Sequence, residues 1–248
     1  MILIVIWMLL LASSLYLLEV LLAMFSSNAQ GQGLISTGWA GYLVTSDLEN
    51  PSEQVIGINA SWTVPRVGVS SFDAFSSAWI GIGGYSDKTL IQTGTEHDSA
   101  NGREYYSAWY EMLPDKAIRI NTMSISPGDA ITASITLINS DTHQWAIRIH
   151  DITNNQGFYQ TFIYNSSRSS AEWVVEKPQL NEETTTLANF GTIPFTDSYA
   201  KIGDTVGKIA DFFSSQVILT TDLSKQLTSV SPLGADGASF NVTYLSSG

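Results

Sequence analysis

The 248-residue chain contains no cysteine. Structural disulfides, thiolate nucleophiles and Cys-ligated zinc are excluded together. Charge is sparse: 14% of residues are charged, and 11 Lys and Arg stand against 23 Asp and Glu, giving a formal net charge of −12. So acidic a chain repels nucleic acid and anionic membrane surfaces, and neither is expected as a partner. Few basic groups also mean modest self-repulsion once carboxylates protonate, which suits an acidic medium. His97, His143 and His150 fall at no metal-ligand spacing, and no HExxH occurs; each reads as a surface or turn residue. A GxSxG elbow, an Asp-Thr-Gly or Asp-Ser-Gly pair and a GxGxxG loop are missing too. No metal and no cofactor are expected. What remains for acid–base chemistry is carboxylates and amides on aromatic strands: Gln92, Glu96, Glu111, Glu172 and Glu176.

What is present begins with an apolar N-terminus. Residues 1–18, MILIVIWMLLLASSLYLL, run almost without interruption to Glu19, and VLLAMF follows before the polar SSNAQGQG. Residues 1–29 read as a signal peptide, cleaved after the small residues Ser27-Asn28-Ala29, or as a membrane anchor formed by residues 1–25. The first basic residue is Arg66, so flanking charge specifies orientation poorly. Either way the body of the protein is expected outside the cytoplasm, extracellular and secreted if cleaved, touching a membrane only if the segment stays. A short linker, 30–35, then leads into one domain, 36–248.

That domain reads as strands and turns. In QVIGINASWTVP (54–65), Ile56, Ile58, Ala60, Trp62 and Val64 alternate with smaller or polar residues, the pattern of a half-buried strand. In DAITASITLI (129–138), Ile131, Ala133, Ile135 and Leu137 share one face. SSAWIGIGG (76–84), TLIQTGTE (89–96), REYYSAWYEMLP (103–114), QWAIRIHDI (144–152) and GFYQTFIY (157–164) add further strands, with turn residues between them. Many short alternating strands predict an all-β, antiparallel two-sheet β-sandwich. One exception is IGDTVGKIADFF (202–213), which reads as a short helix weakened by two glycines.

The stretch SSAEWVVEKP (169–178) concentrates the polar residues that need explaining. Side chains alternate along a strand, so Glu172, Val174 and Glu176 share one face while Trp173 and Val175 share the other. Two carboxylates on so apolar a strand mark either a solvated outer face or the floor of a catalytic cleft. They lie four residues apart, about 13 Å at roughly 3.3 Å per residue. That is too far for the pair of a glycosidase, which needs roughly 5–9.5 Å. Glu111 with Glu176 stays open as such a pair.

In chain order, GWAGYLV (38–44), SWTVP (61–65), SAWIGIGG (77–84), LIQTG (90–94), AWYEMLP (108–114), ISPGD (125–129), AEWVVE (171–176), LANFGTIPF (187–195) and DGASFNVTY (236–244) resemble the glutamic peptidases, or eqolisins. The resemblance covers nearly the whole domain. It implies a lectin-like, concanavalin A-like sandwich with the active site on the concave face of one sheet. It further implies a metal-independent, acid-acting endopeptidase of protein or peptide substrates, working as a monomer. The family's catalytic glutamine matches Gln92, and its catalytic glutamate matches Glu176 rather than Glu172. Glu176 would be general base and then acid, and Gln92 would stabilise the oxyanion. Substrate-cleft roles pass to Gly41, Trp79, Gly94, Glu96, Trp109 and Glu111, with Glu172 a structural or subsite residue on the same face. Two departures bear on specificity. Gly83 stands where the family commonly carries Asp, and Met112-Leu113 replaces an aromatic. A non-catalytic, glycan-binding sandwich is the alternative reading.

Overall fold

The computed structural model describes residues 33–45, 54–180, 183–221 and 224–248. The expected signal or anchor segment lies outside them. In chain order the strands are β1 (Leu34–Ser36), β2 (Trp39–Thr45), β3 (Val55–Thr63), β4 (Ser77–Gly83), β5 (Leu90–Ala100), β6 (Arg103–Met112) and β7 (Ile118–Arg119). Next come β8 (Ala130–Asn139), β9 (Gln144–Asp151), β10 (Gln156–Ile163), β11 (Ser170–Glu176), β12 (Gln179–Leu180), β13 (Glu183–Thr184), β14 (Thr192–Ile202) and β15 (Thr205–Lys208). The last are β16 (Ser214–Thr221), β17 (Lys225–Gln226), β18 (Thr228–Val230) and β19 (Phe240–Tyr244).

Two sheets hold nearly all of them. One runs β1-β16-β2-β11-β4-β5-β6-β7 with β17 attached to β16; the other runs β10-β9-β8-β3-β14-β19-β18 with β15 attached to β14. Among the described residues the named strands pair antiparallel apart from the three-residue β1–β16 match, Leu34 to Val217 through Ser36 to Leu219. The expected antiparallel sandwich is therefore the observed fold, and the first strand among the described residues begins at Leu34, two residues before the expected start of the domain.

The core lies between the sheets. Ile58, Ala60, Trp62 and Val64 from the first of these alternating stretches, and Ile131, Ala133 and Ile135 from β8, are buried as their alternation predicts. They meet Tyr42, Ile80, Trp173 and Val175 from the opposing sheet in one apolar cluster. Three indoles buried between the sheets keep their N–H groups paired: Trp173 donates to Asn59 O at 3.0 Å, Trp145 to Tyr164 O at 2.9 Å and Trp62 to Thr95 Oγ1 at 2.9 Å.

The helix expected over 202–213 is not formed. Gly203, at φ 55°, turns the chain so that Thr205–Lys208 pairs back onto Tyr199–Ile202, and only the 3₁₀ turn Ile209–Asp211 follows. A left-handed glycine closes a tight hairpin more readily than it sits inside a helix. His97 also departs from expectation. It is fully buried, its Nε2 2.7 Å from Thr95 Oγ1, and burial pulls its pKa down to about 3. It is a neutral core residue.

Candidate active site

The central strand of the larger sheet is β11, hydrogen-bonded to β2 on one side and β4 on the other. Trp173 and Val175 enter the core between the sheets, while Val174 joins Trp79 and Trp109 in a separate cluster on the opposite face, with Trp39 and Leu90 packed against it. Glu172 and Glu176 share that second face, as their spacing predicts. The solvated-face reading fails for Glu172, which is 3% exposed.

Register builds the site in three rows across the sheet. In the first, Glu176 is opposite Ser77, Ser77 opposite Glu96, and Glu96 opposite Ser107. In the second, Gly41, Val174, Trp79, Gly94 and Trp109 follow one another. In the third, Leu43, Glu172, Gly81, Gln92 and Glu111 do so. Gln92 and Glu111 are thus direct cross-strand neighbours, and Gln92 Nε2 donates a short 2.5 Å hydrogen bond to Glu111 Oε2. The Trp79 indole reaches diagonally and donates to Glu176 Oε2 at 2.7 Å. Ser107 Oγ donates to Glu96 Oε2 at 2.9 Å.

Glycines make this face possible at two positions. Gly41 holds φ 145°, and a Cβ there would lie 2.0 Å from Trp173 O. At Gly94 a Cβ would lie 2.5 Å from Trp79 Cβ and 2.3 Å from Ala78 O. Both serve close approach of neighbouring strand backbone, and neither lines the two cavities of the site.

A cleft of about 510 Å³ gathers Gln92, Glu96, Trp109, Glu111, Ser77 and Glu176, with Lys116 and Lys177 at its rim. On the other side of Trp79 a second cavity of about 360 Å³ holds Glu172 and also reaches Glu176. Leu90 and the Trp79 ring fold over Gly81, where a Cβ would meet them at 2.8 and 2.9 Å, and both line this second space. Of the residues expected at the site, Gln92, Glu96, Trp109, Glu111 and Glu176 come together in the first space. Trp79 stands at the divide, and Glu172 lies in the second space.

Electrostatics follow from burial. Glu176 is pushed up to about 7 by burial; the Trp79 N–H opposes this, and the charges of Glu111 and Glu96 add to it. Burial also raises Glu111, against the Gln92 hydrogen bond. One further acid is absent from the sequence-based set. Asp98 continues the Gln92–Gly94–Glu96 alternation and is raised to about 7 by burial and by Glu96. The same period-2 count that places Glu96 would find it. Unpaired buried polar atoms also collect on this face: Gln92 Oε1, Trp109 Nε1 and both carboxyl oxygens of Glu172. Such groups are rare in folded proteins and tend to mark working surfaces. Among the described residues no cluster of His, Asp and Glu could hold a metal ion, and no helix is long and apolar enough to cross a membrane.

The model of the Peptidase A4 family matches residues 37–244. The chain belongs to that family, the glutamic peptidases or eqolisins. It is a glutamic endopeptidase, and the glycan-binding alternative falls away. Scytalidopepsin B of Scytalidium lignicola is 30% identical over 218 residues, 81% of this chain and 78% of that relative. Aspergillopepsin-2 of Aspergillus niger is 28% identical over 235 residues, 89% of this chain and 78% of the relative. Among solved structures, scytalido-glutamic peptidase with a transition state analog inhibitor superimposes with a TM-score of 0.71 at 22% identity, covering 85% of this chain and 99% of that one. Aspergilloglutamic peptidase from Aspergillus niger gives a TM-score of 0.61 at 29% identity, covering 69% and 99%. The likeness to the first carries the fold.

Proposed function

We propose that this eqolisin hydrolyses internal bonds of protein substrates with Glu176 and Gln92 as its acting pair, in an acidic medium outside the cytoplasm. The observation that supports this most is the paired suspension of two groups over one cleft. Glu176 is held by the Trp79 N–H, and Gln92 is held by the Glu111 carboxyl. Glu176 as carboxylate takes a proton from a water while the water oxygen attacks the peptide carbonyl carbon. Gln92 spends one amide hydrogen on Glu111, leaving the other for the oxyanion of the tetrahedral intermediate. As the C–N bond breaks, Glu176 passes its proton to the leaving amine, and the products are a carboxyl and an amine.

An amide cannot titrate, so the oxyanion donor persists in acid. Glu176 poses the opposite demand, since a base must be ionised. Burial is the largest influence raising it, followed by repulsion from Glu111 and Glu96. Protonation of Glu111 in acid removes its repulsion, which keeps Glu176 charged to lower pH. The sparse basic groups suit an acidic medium, and the apolar residues 1–25 support export, by cleavage or anchoring.

The test is digestion of a denatured protein across pH 2–7. Glu176→Gln and Gln92→Ala are each expected to lower kcat/KM by about 10³-fold or more, with melting transitions close to the parent's. Parental activity in both variants would overturn the assignment.

A further inference from the structure

The cavity on the β1 side of Trp79 is unused by the chemistry above. Leu34, Trp39, Trp79, Leu90 and Val217 give it apolar walls, and Gly83 and Gly84 line it as well. Its polar side chains include two carboxyls, Glu172 and Glu176, and among the described residues no Lys, Arg or His lines it. The neighbouring cleft differs, with Lys116 and Lys177 on its boundary. Glu172 is 3% exposed, and among the described residues neither of its carboxyl oxygens has a hydrogen-bond partner. The Ser170 hydroxyl lies close enough to favour the charged form, though not in hydrogen-bonding geometry with it. A buried carboxyl left unpaired is destabilising and calls for a partner from outside the chain.

We propose that this cavity is a specificity pocket for a lysine or arginine side chain of the substrate, with Glu172 as the residue that selects it. The apolar walls suit the methylene stem, which long basic side chains lay against apolar surface while the charged head reaches a polar partner. The head then donates to the unpaired oxygens of Glu172 and thereby favours its charged form, and the charge of Asp87 adds to the negative field there. Reach favours a long side chain: Glu176 and Glu172 are four residues apart on β11, about 13 Å by strand rise. A substrate residue held beside Glu176 spans that gap only if its side chain is extended. Gly83 belongs to the same pocket.

The inference rests on the peptidase reading, and its test separates the two. Wild-type enzyme is given matched peptides that differ only in lysine or norleucine at each position flanking the scissile bond. At one fixed position kcat/KM is expected to favour lysine by about 10-fold or more, the scale on which a single pocket group discriminates between side chains. Glu172→Gln is expected to bring that ratio close to one. Equal rates for the two peptides at every position, or an unchanged ratio in Glu172→Gln, would overturn the pocket while leaving the peptidase standing. Failure to cleave any peptide would sink both.

Discussion

The two faces of the larger sheet obey different rules although they share every strand. The inner face sends Tyr42, Ile80, Trp173 and Val175 into a continuous apolar core, and its buried indole N–H is paired. The outer face carries a small apolar island of Trp79, Trp109 and Val174 among Gln92, Glu96, Glu111, Glu172 and Glu176. Several of its buried polar atoms lack partners. One face is built from apolar contact and stabilises the fold. The other holds unsatisfied groups in place, and the first supplies the rigidity that keeps them there.

The sharpest separation comes from truncating one large side chain on the inner face. Trp173→Ala should lower the unfolding free energy by about 3–5 kcal/mol, read from urea denaturation. The opposite sign is expected on the outer face. Glu172→Met keeps an apolar, flexible side chain of similar length and removes an unpaired buried carboxyl, so stability at pH 7 should rise by about 1–2 kcal/mol. That gain should shrink in acid. Burial holds Glu172 well above the usual carboxylate range, so the folded chain keeps a proton that the unfolded chain sheds. The parent is therefore unpenalised below the ordinary glutamate range and loses stability as pH rises past it. Melting curves at pH 4 and pH 8 should differ less in the variant than in the parent. An equal gap in both would remove Glu172 as a source of acid stability.

A smaller effect concerns the bond between the island and the carboxyls. The Trp79 N–H favours the charged form of Glu176, so Trp79→Phe should raise the Glu176 pKa further. Activity that needs ionised Glu176 is lost as pH falls through that value. The acid limb of kcat/KM should therefore move up by about one pH unit, the equivalent of a charged hydrogen bond of about 1.5 kcal/mol. A limb that stays put would mean that another group sets it.

Much of this is legible in the chain itself, for a physical reason. A period of two assigns faces without knowledge of partners, and it puts Glu172 and Glu176 together and Trp173 opposite. Motif order then supplies the family and singles out Gln92 and Glu176. Contacts that depend on strand order are not legible. Trp79 meets Glu176 because β11 lies beside β4, although 97 residues separate them in sequence. Burial is misread where a polar residue lies under a second layer: His97 reads as a turn or surface residue and is fully enclosed. The 202–213 segment misleads because its hydrophobic residues fit a helix, whereas the glycine turn at Gly203 decides for a hairpin.

The wall contributed by β1 has a consequence for how such enzymes diversify. This strand is three residues long, pairs along one side only, and does so in parallel at the rim of the sheet. The pair proposed to react, Gln92 and Glu176, sits on β5 and β11, several strands inward. Exchange of the rim segment would then reshape which substrates enter without disturbing the groups that cut them, so selectivity and chemistry are free to drift at separate rates.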